Sequence, residues 1–167
     1  MTNSSDNVMQ FEGRDNRFGD GEDTQSLFSD WSNHERSTRI ALIGTYSPRK
    51  CGVATFTTDL REKLGEFEPA ITVDVYALAE SASDIDYPDV AASINANDAS
   101  AYREAAARIN ASAADVAWLQ HEFGIFGGPD GDMVCDFVDR IAAPLIVTLH
   151  TVLSEPSEAQ HRIIVHL

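Results

Sequence analysis

Three loops of this 167-residue chain carry residue types that could bind a ligand or move a proton, and each follows a short apolar run. The first loop, residues 44–53, is GTYSPRKCGV, and the second, residues 121–129, is HEFGIFGGP. The third begins with His150 and Thr151. If the apolar runs are parallel strands, these loops leave the carboxyl edge of a sheet, which is where such sheets bind ligands.

The first loop leads directly into a predicted helix. Gly52 stands at the start of that helix, where the missing Cβ would let a phosphate or a sugar approach the free N–H groups, and Arg49 and Lys50 lie beside it. The loop is neither G-x-G-x-x-G nor G-x-x-x-x-G-K-[ST], so it predicts neither a dinucleotide site nor an NTP site. An ordinary loop whose glycines serve turn geometry explains the same residues equally well.

Histidines begin the other two loops. The pair His121 and Glu122 resembles the start of H-E-x-x-H, but Ile125 stands where the second histidine is needed, so no metal site is predicted. His121 could bond a substrate hydroxyl, and Glu122 could orient it or accept a proton. His150 could donate to a sugar hydroxyl or to a leaving phosphate oxygen. A structural hydrogen-bonding role for either histidine stays open.

Strands and helices alternate along the chain in a way that would bring these loops together. Apolar runs predict strands, and apolar spacings of three and four predict helices. Strands are predicted at 39–44, 71–77, 115–120 and 145–149, with a weak one at 90–94; helices are predicted at 53–67, 98–110, 130–141 and from 157. This order predicts an α/β fold, a Rossmann-like parallel sheet with helices on both faces.

The chain divides into two parts at residue 38. Residues 1–38 are acidic and polar with no sustained period, which predicts a disordered tail, and residues 39–167 form one domain. The last predicted helix has no following strand, so we expect a domain truncated at its C-terminus.

Charge and composition narrow the partners. The net charge of −15 predicts no nucleic-acid partner, and the absence of an apolar run of about 18 residues predicts at most peripheral membrane contact. Only two cysteines and no recognisable secretory signal favour a cytoplasmic setting.

Three motifs together resemble a known family. They are IALIGTYSPRKCGVATFTTDL at 40–60, WLQHEFGIFGGP at 118–129 and PLIVTLHTVL at 144–153. In this order they are similar to bacterial and archaeal family 4 glycosyltransferases, the group 1 type with a GT-B fold. The resemblance covers roughly residues 39–167.

The resemblance implies an acceptor-binding domain. In that family, the N-terminal domain binds the acceptor and the C-terminal domain binds a nucleotide-diphosphate sugar. The hexosyl unit is transferred with retention and without a cofactor or an essential metal. Gly52 matches the glycine that approaches the donor phosphate and sugar, and His150 matches the histidine implicated in catalysis.

The remaining candidates carry weaker implications. Arg49 and Lys50 share the loop of that glycine without a fixed role, and His121 and Glu122 match a subgroup motif whose role we infer from position. The family's E-x7-E element belongs to the missing donor-binding domain, so we expect this chain alone to be inactive. Its implied partners are a saccharide or lipid-linked acceptor and that missing domain. A non-catalytic saccharide-binding domain, a subunit of a split enzyme and a fragment without function remain alternatives.

Overall fold

The computed structural model describes residues 37–80 and 87–167. The predicted tail, apart from its last two residues, lies outside the described residues, as do residues 81–86 of the polar stretch after the second strand. Within the described part of the chain, no helix is both long enough and apolar enough to cross a bilayer.

The described ranges contain five strands and four helices. The strands are β1 (Thr38–Gly44), β2 (Ile71–Ala79), β3 (Ala92–Asn95), β4 (Val116–His121) and β5 (Leu145–Leu149). The helices are α1 (Gly52–Phe67), α2 (Ala99–Ala111), α3 (Met133–Val138) and α4 (Glu158–His166). Short 3-10 turns at Phe123–Ile125 and Pro129–Gly131 lie between β4 and α3.

All five strands are parallel and lie in the order β3-β2-β1-β4-β5. At the centre of the sheet, Leu42 of β1 lies opposite Val75 of β2 and Trp118 of β4. The chain leaves β1 toward one edge of the sheet and β4 toward the other, so a crevice is expected between the carboxyl ends of these two strands. In the described sheet, β5 pairs with β4 alone and forms an edge.

Two hydrophobic cores cover opposite faces of the sheet. One contains Leu42 and Val75 together with Leu60 of α1. The other contains Ile43 and Leu119 together with residues of α2, α3 and α4. Side chains of successive strand residues point to opposite faces, so each strand contributes to both cores. The predicted Rossmann-like α/β fold with helices on both faces is confirmed.

One predicted helix is much shorter than expected. The prediction covered residues 130–141, whereas α3 spans only Met133–Val138. Asp130 takes a φ of 55° within the preceding 3-10 turn, which interrupts an α-helix. At the other end, the N–H groups of Arg140 and Ile141 bond carbonyls three residues back, so the chain tightens into 3-10 geometry.

A buried tyrosine ties β3 to the loop after β4. The Tyr102 hydroxyl donates to the Ala96 carbonyl at 2.9 Å and accepts from the Gly127 N–H at 3.2 Å. Gly127 lies so close that a Cβ on it would come within 2.0 Å of the Ala96 oxygen. Burial raises the pKa of Tyr102 to about 12, so the hydroxyl keeps its proton over the physiological range. Gly127 of the second loop is thus needed for close packing against Ala96.

We predict that Tyr102→Phe lowers the free energy of unfolding by about 1–3 kcal/mol, because it leaves a buried carbonyl and a buried N–H unpaired. Urea unfolding followed by circular dichroism measures the change. Tyr87→Phe is the matched control, since the buried Tyr87 hydroxyl has no hydrogen-bond partner among the described residues. Equal losses in the two variants would contradict this account of Tyr102.

Candidate functional site

The three candidate loops leave the same edge of the sheet. Because the strands are parallel, the carboxyl ends of β1, β4 and β5 face one direction. The pairing of β4 with β5 continues past the strand, where the His150 N–H donates to the His121 carbonyl at 2.9 Å. The backbone therefore brings the second and third loops side by side.

The His150 ring lies against α1 and β4. Its Nε2 atom lies 3.0 Å from Oε1 of Gln120, which is fully buried. Phe56 packs edge-to-face on the same ring, with centroids 5.0 Å apart and planes at 82°. Phe56 follows Gly52 by four residues, which is about one helical turn. His150 and Gly52 therefore lie on the same side of the sheet, at the start of α1.

The amino end of α1 is open to a ligand. Gly52 is exposed, and a Cβ added to it would meet nothing within 4 Å. The first turn carries no acidic side chain that would complement the positive end of the helix dipole. The helix cap comes from Cys51, whose sulfur accepts from the Ala54 N–H at 3.4 Å. An anion or a polar ligand can therefore approach the backbone at Gly52.

The two cations of the first loop differ in their surroundings. Arg49 forms an ion pair with Glu80, with its guanidinium nitrogen 2.9 Å from the carboxylate. Lys50 is exposed and has no hydrogen bond or ion pair within the described ranges. Arg49 is thus held toward the residue after β2, and Lys50 is the loop cation whose charge is left uncompensated.

The His121 side chain lies on the other face of the sheet from His150. Its ring is fully buried, stacked on Phe126 with centroids 5.6 Å apart and edge-on to Phe123 at 4.9 Å. Neither ring nitrogen has a hydrogen-bond partner in the described part of the chain. The structure therefore places the His121 backbone at the rim, the carboxyl edge of the sheet where the three loops begin. Its imidazole is buried below that edge, where a ligand cannot reach it.

Glu122 links the second loop to the third. Its half-buried carboxylate accepts a hydrogen bond from the Thr151 hydroxyl. This contact joins the residues that follow His121 and His150, and it supports the orientation of the third loop. Glu122 thus holds the third loop through Thr151, the residue that follows His150.

Sequence reasoning missed Gln120 and Phe56. The sequence contained a signal at Gln120, because a buried amide in an otherwise apolar strand needs a hydrogen-bond partner. Strand alternation then places Gln120 and His121 on opposite faces. Phe56 gave no such signal, since its spacing matched that of the core stripe of its helix, yet the side chain is 43% exposed.

A cleft of about 520 Å³ lies beside the first loop. Within it, the Arg61 guanidinium donates to the Tyr46 hydroxyl at 3.1 Å. The cleft is lined by Tyr46, Ser47, Pro48, Thr58, Arg61, Glu62, Tyr87, Pro88, Asp89 and Val90. Hydroxyl and charged groups thus share one concave surface, and the buried Tyr46 and Tyr87 lie at its base.

Cys51 has a more reactive setting than a simple packing residue. Burial acts to raise the pKa of its thiol, but a hydrogen bond with Thr45, the Ala54 N–H and the nearby Arg49 outweigh that effect. The net result is a lowered pKa. At Cys135, burial and the neighbouring Asp132 raise the pKa of the thiol. Both cysteines are free.

We predict that stability falls as the pH drops below about 6.5, the ordinary value for histidine, in part because of His121. Burial is the main cause that lowers the pKa of His121, so the unfolded chain binds a proton that the folded chain excludes. Urea unfolding at pH 7.5 and 5.5 should show a smaller pH dependence for His121→Leu than for the wild type. The exposed His161→Leu serves as control, and an unchanged pH dependence in His121→Leu would refute the prediction.

We also predict that iodoacetamide alkylates Cys51 severalfold faster than Cys135 at pH 7.5, because the thiolate is the reacting species. Mass spectrometry of digested samples over time measures both rates. Arg49→Gln should slow the reaction of Cys51, whereas Arg61→Gln, a matched change on α1, should not. Equal rates for the two cysteines would contradict the assignment.

No group of three histidine, cysteine, aspartate or glutamate side chains within residues 37–80 and 87–167 is arranged to hold a metal ion. The site therefore offers hydrogen-bonding groups, one helix terminus and one exposed lysine. These groups can bind a polar or anionic ligand, and the imidazole of His150 can form a hydrogen bond with that ligand.

Comparison with known proteins gave no match, either to models of protein families or to curated proteins.

Proposed function

We propose that this chain is the acceptor-side domain of a retaining glycosyltransferase of the GT-B type. The enzyme would move a hexosyl unit from a nucleotide-diphosphate sugar to a glycan or lipid-linked acceptor. The observation that carries the proposal is the contact of His150 with Phe56, about one turn beyond Gly52. The residue to which the resemblance gives a catalytic role thus contacts the first turns of the helix that begins at Gly52.

The electrostatics of the rim support a donor carrying a diphosphate. Charge builds up on the leaving diphosphate during transfer, and fixed N–H dipoles aimed at that charge lower the barrier. The open amino end of α1 at Gly52 presents such dipoles, and the uncompensated Lys50 lies two residues away. Lys50 supplies positive charge here although the net charge of the chain is −15.

The cleft beside the first loop supports a saccharide acceptor. The exposed Ser47 and Asp89 and the half-buried Arg61 can hydrogen-bond the hydroxyls of a sugar ring. Tyr46 and Arg61 already contact each other there, which holds both side chains in place. A cytoplasmic setting, where nucleotide sugars would be at hand, accords with two unpaired cysteines.

The donor-binding half is expected from a second domain. Groups that hold both phosphates of the leaving nucleotide supply most of the electrostatic stabilisation, and the resemblance assigns them to that domain. This chain alone should therefore bind weakly and not turn over. Turnover of any nucleotide sugar by the purified 167-residue protein would show that the proposed division of labour is wrong.

We predict that a nucleotide-diphosphate sugar such as UDP-glucose or GDP-mannose shifts the amide NMR signals of Gly52, Phe56 and His150. Gly52→Ala should weaken the interaction by roughly tenfold, or about 1.4 kcal/mol, because the methyl group blocks approach to the backbone. A titration of the ¹⁵N-labelled protein measures the affinity.

Gly65→Ala is the matched control, since it makes the same change in the same helix, and its added Cβ also meets nothing within 4 Å. It should leave the affinity unchanged. If nucleotide sugars cause no shifts and oligosaccharides do, the chain is a saccharide-binding domain without a donor site. If neither ligand causes shifts at the rim, the transferase proposal fails.

A further inference from the structure

The amide of Gln120 holds one nitrogen of the His150 ring. Oε1 of Gln120 lies 3.0 Å from Nε2 of His150, and the Gln120 side chain is fully buried. Gly44 of the neighbouring strand leaves room for it, because a Cβ on Gly44 would lie 2.9 Å from the Gln120 Cβ. The ring is further confined by Phe56. His150 is thus held in one orientation by groups that are themselves packed.

This contact decides which nitrogen of His150 is free. With the Gln120 amide oriented so that Oε1 faces the ring, this oxygen can only accept, so Nε2 of His150 carries the hydrogen and Nδ1 of the neutral ring has none. Nδ1 makes no hydrogen bond within the described ranges, and the His150 side chain is only half-buried, so solvent can reach this nitrogen. The free side of the ring is therefore a hydrogen-bond acceptor.

We propose that Gln120 is a positioning residue that fixes His150 as the Nε2–H tautomer, so that Nδ1 accepts a hydrogen bond from a hydroxyl of the ligand. His150 then selects a polyol hydroxyl at this point of the site and not an unprotonated phosphoryl oxygen, which would need a donor. The tautomer is inferred from the orientation of the Gln120 amide, whereas its importance for sugar transfer rests on the proposed function.

The unpaired nitrogen of Gln120 supports a role for this residue in positioning His150. Its Nε2 group is buried and has no hydrogen-bond partner among the described residues. Leaving a buried donor unpaired is unfavourable, and an apolar side chain at this position would avoid that cost. The neighbouring Leu119 and Ala117 of the same strand are apolar. The amide thus lowers stability locally, and its one hydrogen bond is to His150.

The tautomer can be measured directly without any ligand. Long-range ¹H–¹⁵N correlation spectra of the labelled 167-residue protein, recorded at alkaline pH, distinguish a protonated ring nitrogen from an unprotonated one. We expect a protonated Nε2 and an unprotonated Nδ1 in the wild type. A protonated Nδ1 would overturn the proposal, because Gln120 would then have to donate.

Two substitutions test whether Gln120 is the cause. Gln120→Glu keeps an acceptor at the same place and should preserve the Nε2–H form. Gln120→Met has a similar length but at best a weak acceptor, and it should give a mixture of both tautomers. Circular dichroism checks that each variant folds. A wild-type spectrum for His150 in a folded Gln120→Met protein would overturn the proposal.

Binding of oligosaccharides separates this inference from the proposed function. Titration with maltose and mannobiose should show a severalfold lower affinity for Gln120→Met. For Gln120→Glu, whose carboxylate favours the imidazolium with a hydrogen on both nitrogens, the affinity should rise toward the wild-type value as the pH is raised. If the tautomers behave as expected but no saccharide or nucleotide sugar binds, the proposed function fails and the positioning role of Gln120 stands. If saccharides bind equally well to all three proteins, the role of Gln120 in ligand selection is refuted.

Discussion

Adjacent residues of a strand must point to opposite faces of the sheet, and this constraint decides the chemistry of the site. At the end of β4 it sends Gln120 toward α1 and His121 into the core on the other face. The polar residue that looks more reactive in the sequence is therefore buried between two phenylalanines. The amide before it meets the histidine of the next loop.

Much of the fold could be predicted because local and global signals agree. The run Leu145–Leu149 is apolar, β-branched and preceded by proline, and β5 has the predicted bounds. The helix after the first loop began one residue earlier than predicted, at Gly52. Ser157 caps the last helix in a capping box with Gln160, a local pattern that marks a helix start. Where periodicity, helix caps and β-propensity indicate the same element, tertiary packing did not change the predicted secondary structure.

The site was only partly predictable, because it depends on which face a side chain occupies at a strand end. Position alone brought Gly52 and His150 to one edge of the sheet, as expected for parallel strands. The ion pair of Arg49 with Glu80 joins residues 31 apart, and the bond of Thr151 to Glu122 spans 29. Such contacts depend on side-chain directions across the fold, and no local pattern of residues encodes them.

Within the described sheet, the outer edge of β5 is an uncharged edge without a neighbouring strand. Its sequence, LIVTL, contains no charged residue, and Ile146 is 46% exposed. Proteins usually protect such edges with lysine, proline or a covering segment, since a row of free N–H and C=O groups invites another strand. An uncharged edge of this kind can template sheet growth, so concentrated samples of the isolated domain are open to self-association through backbone pairing.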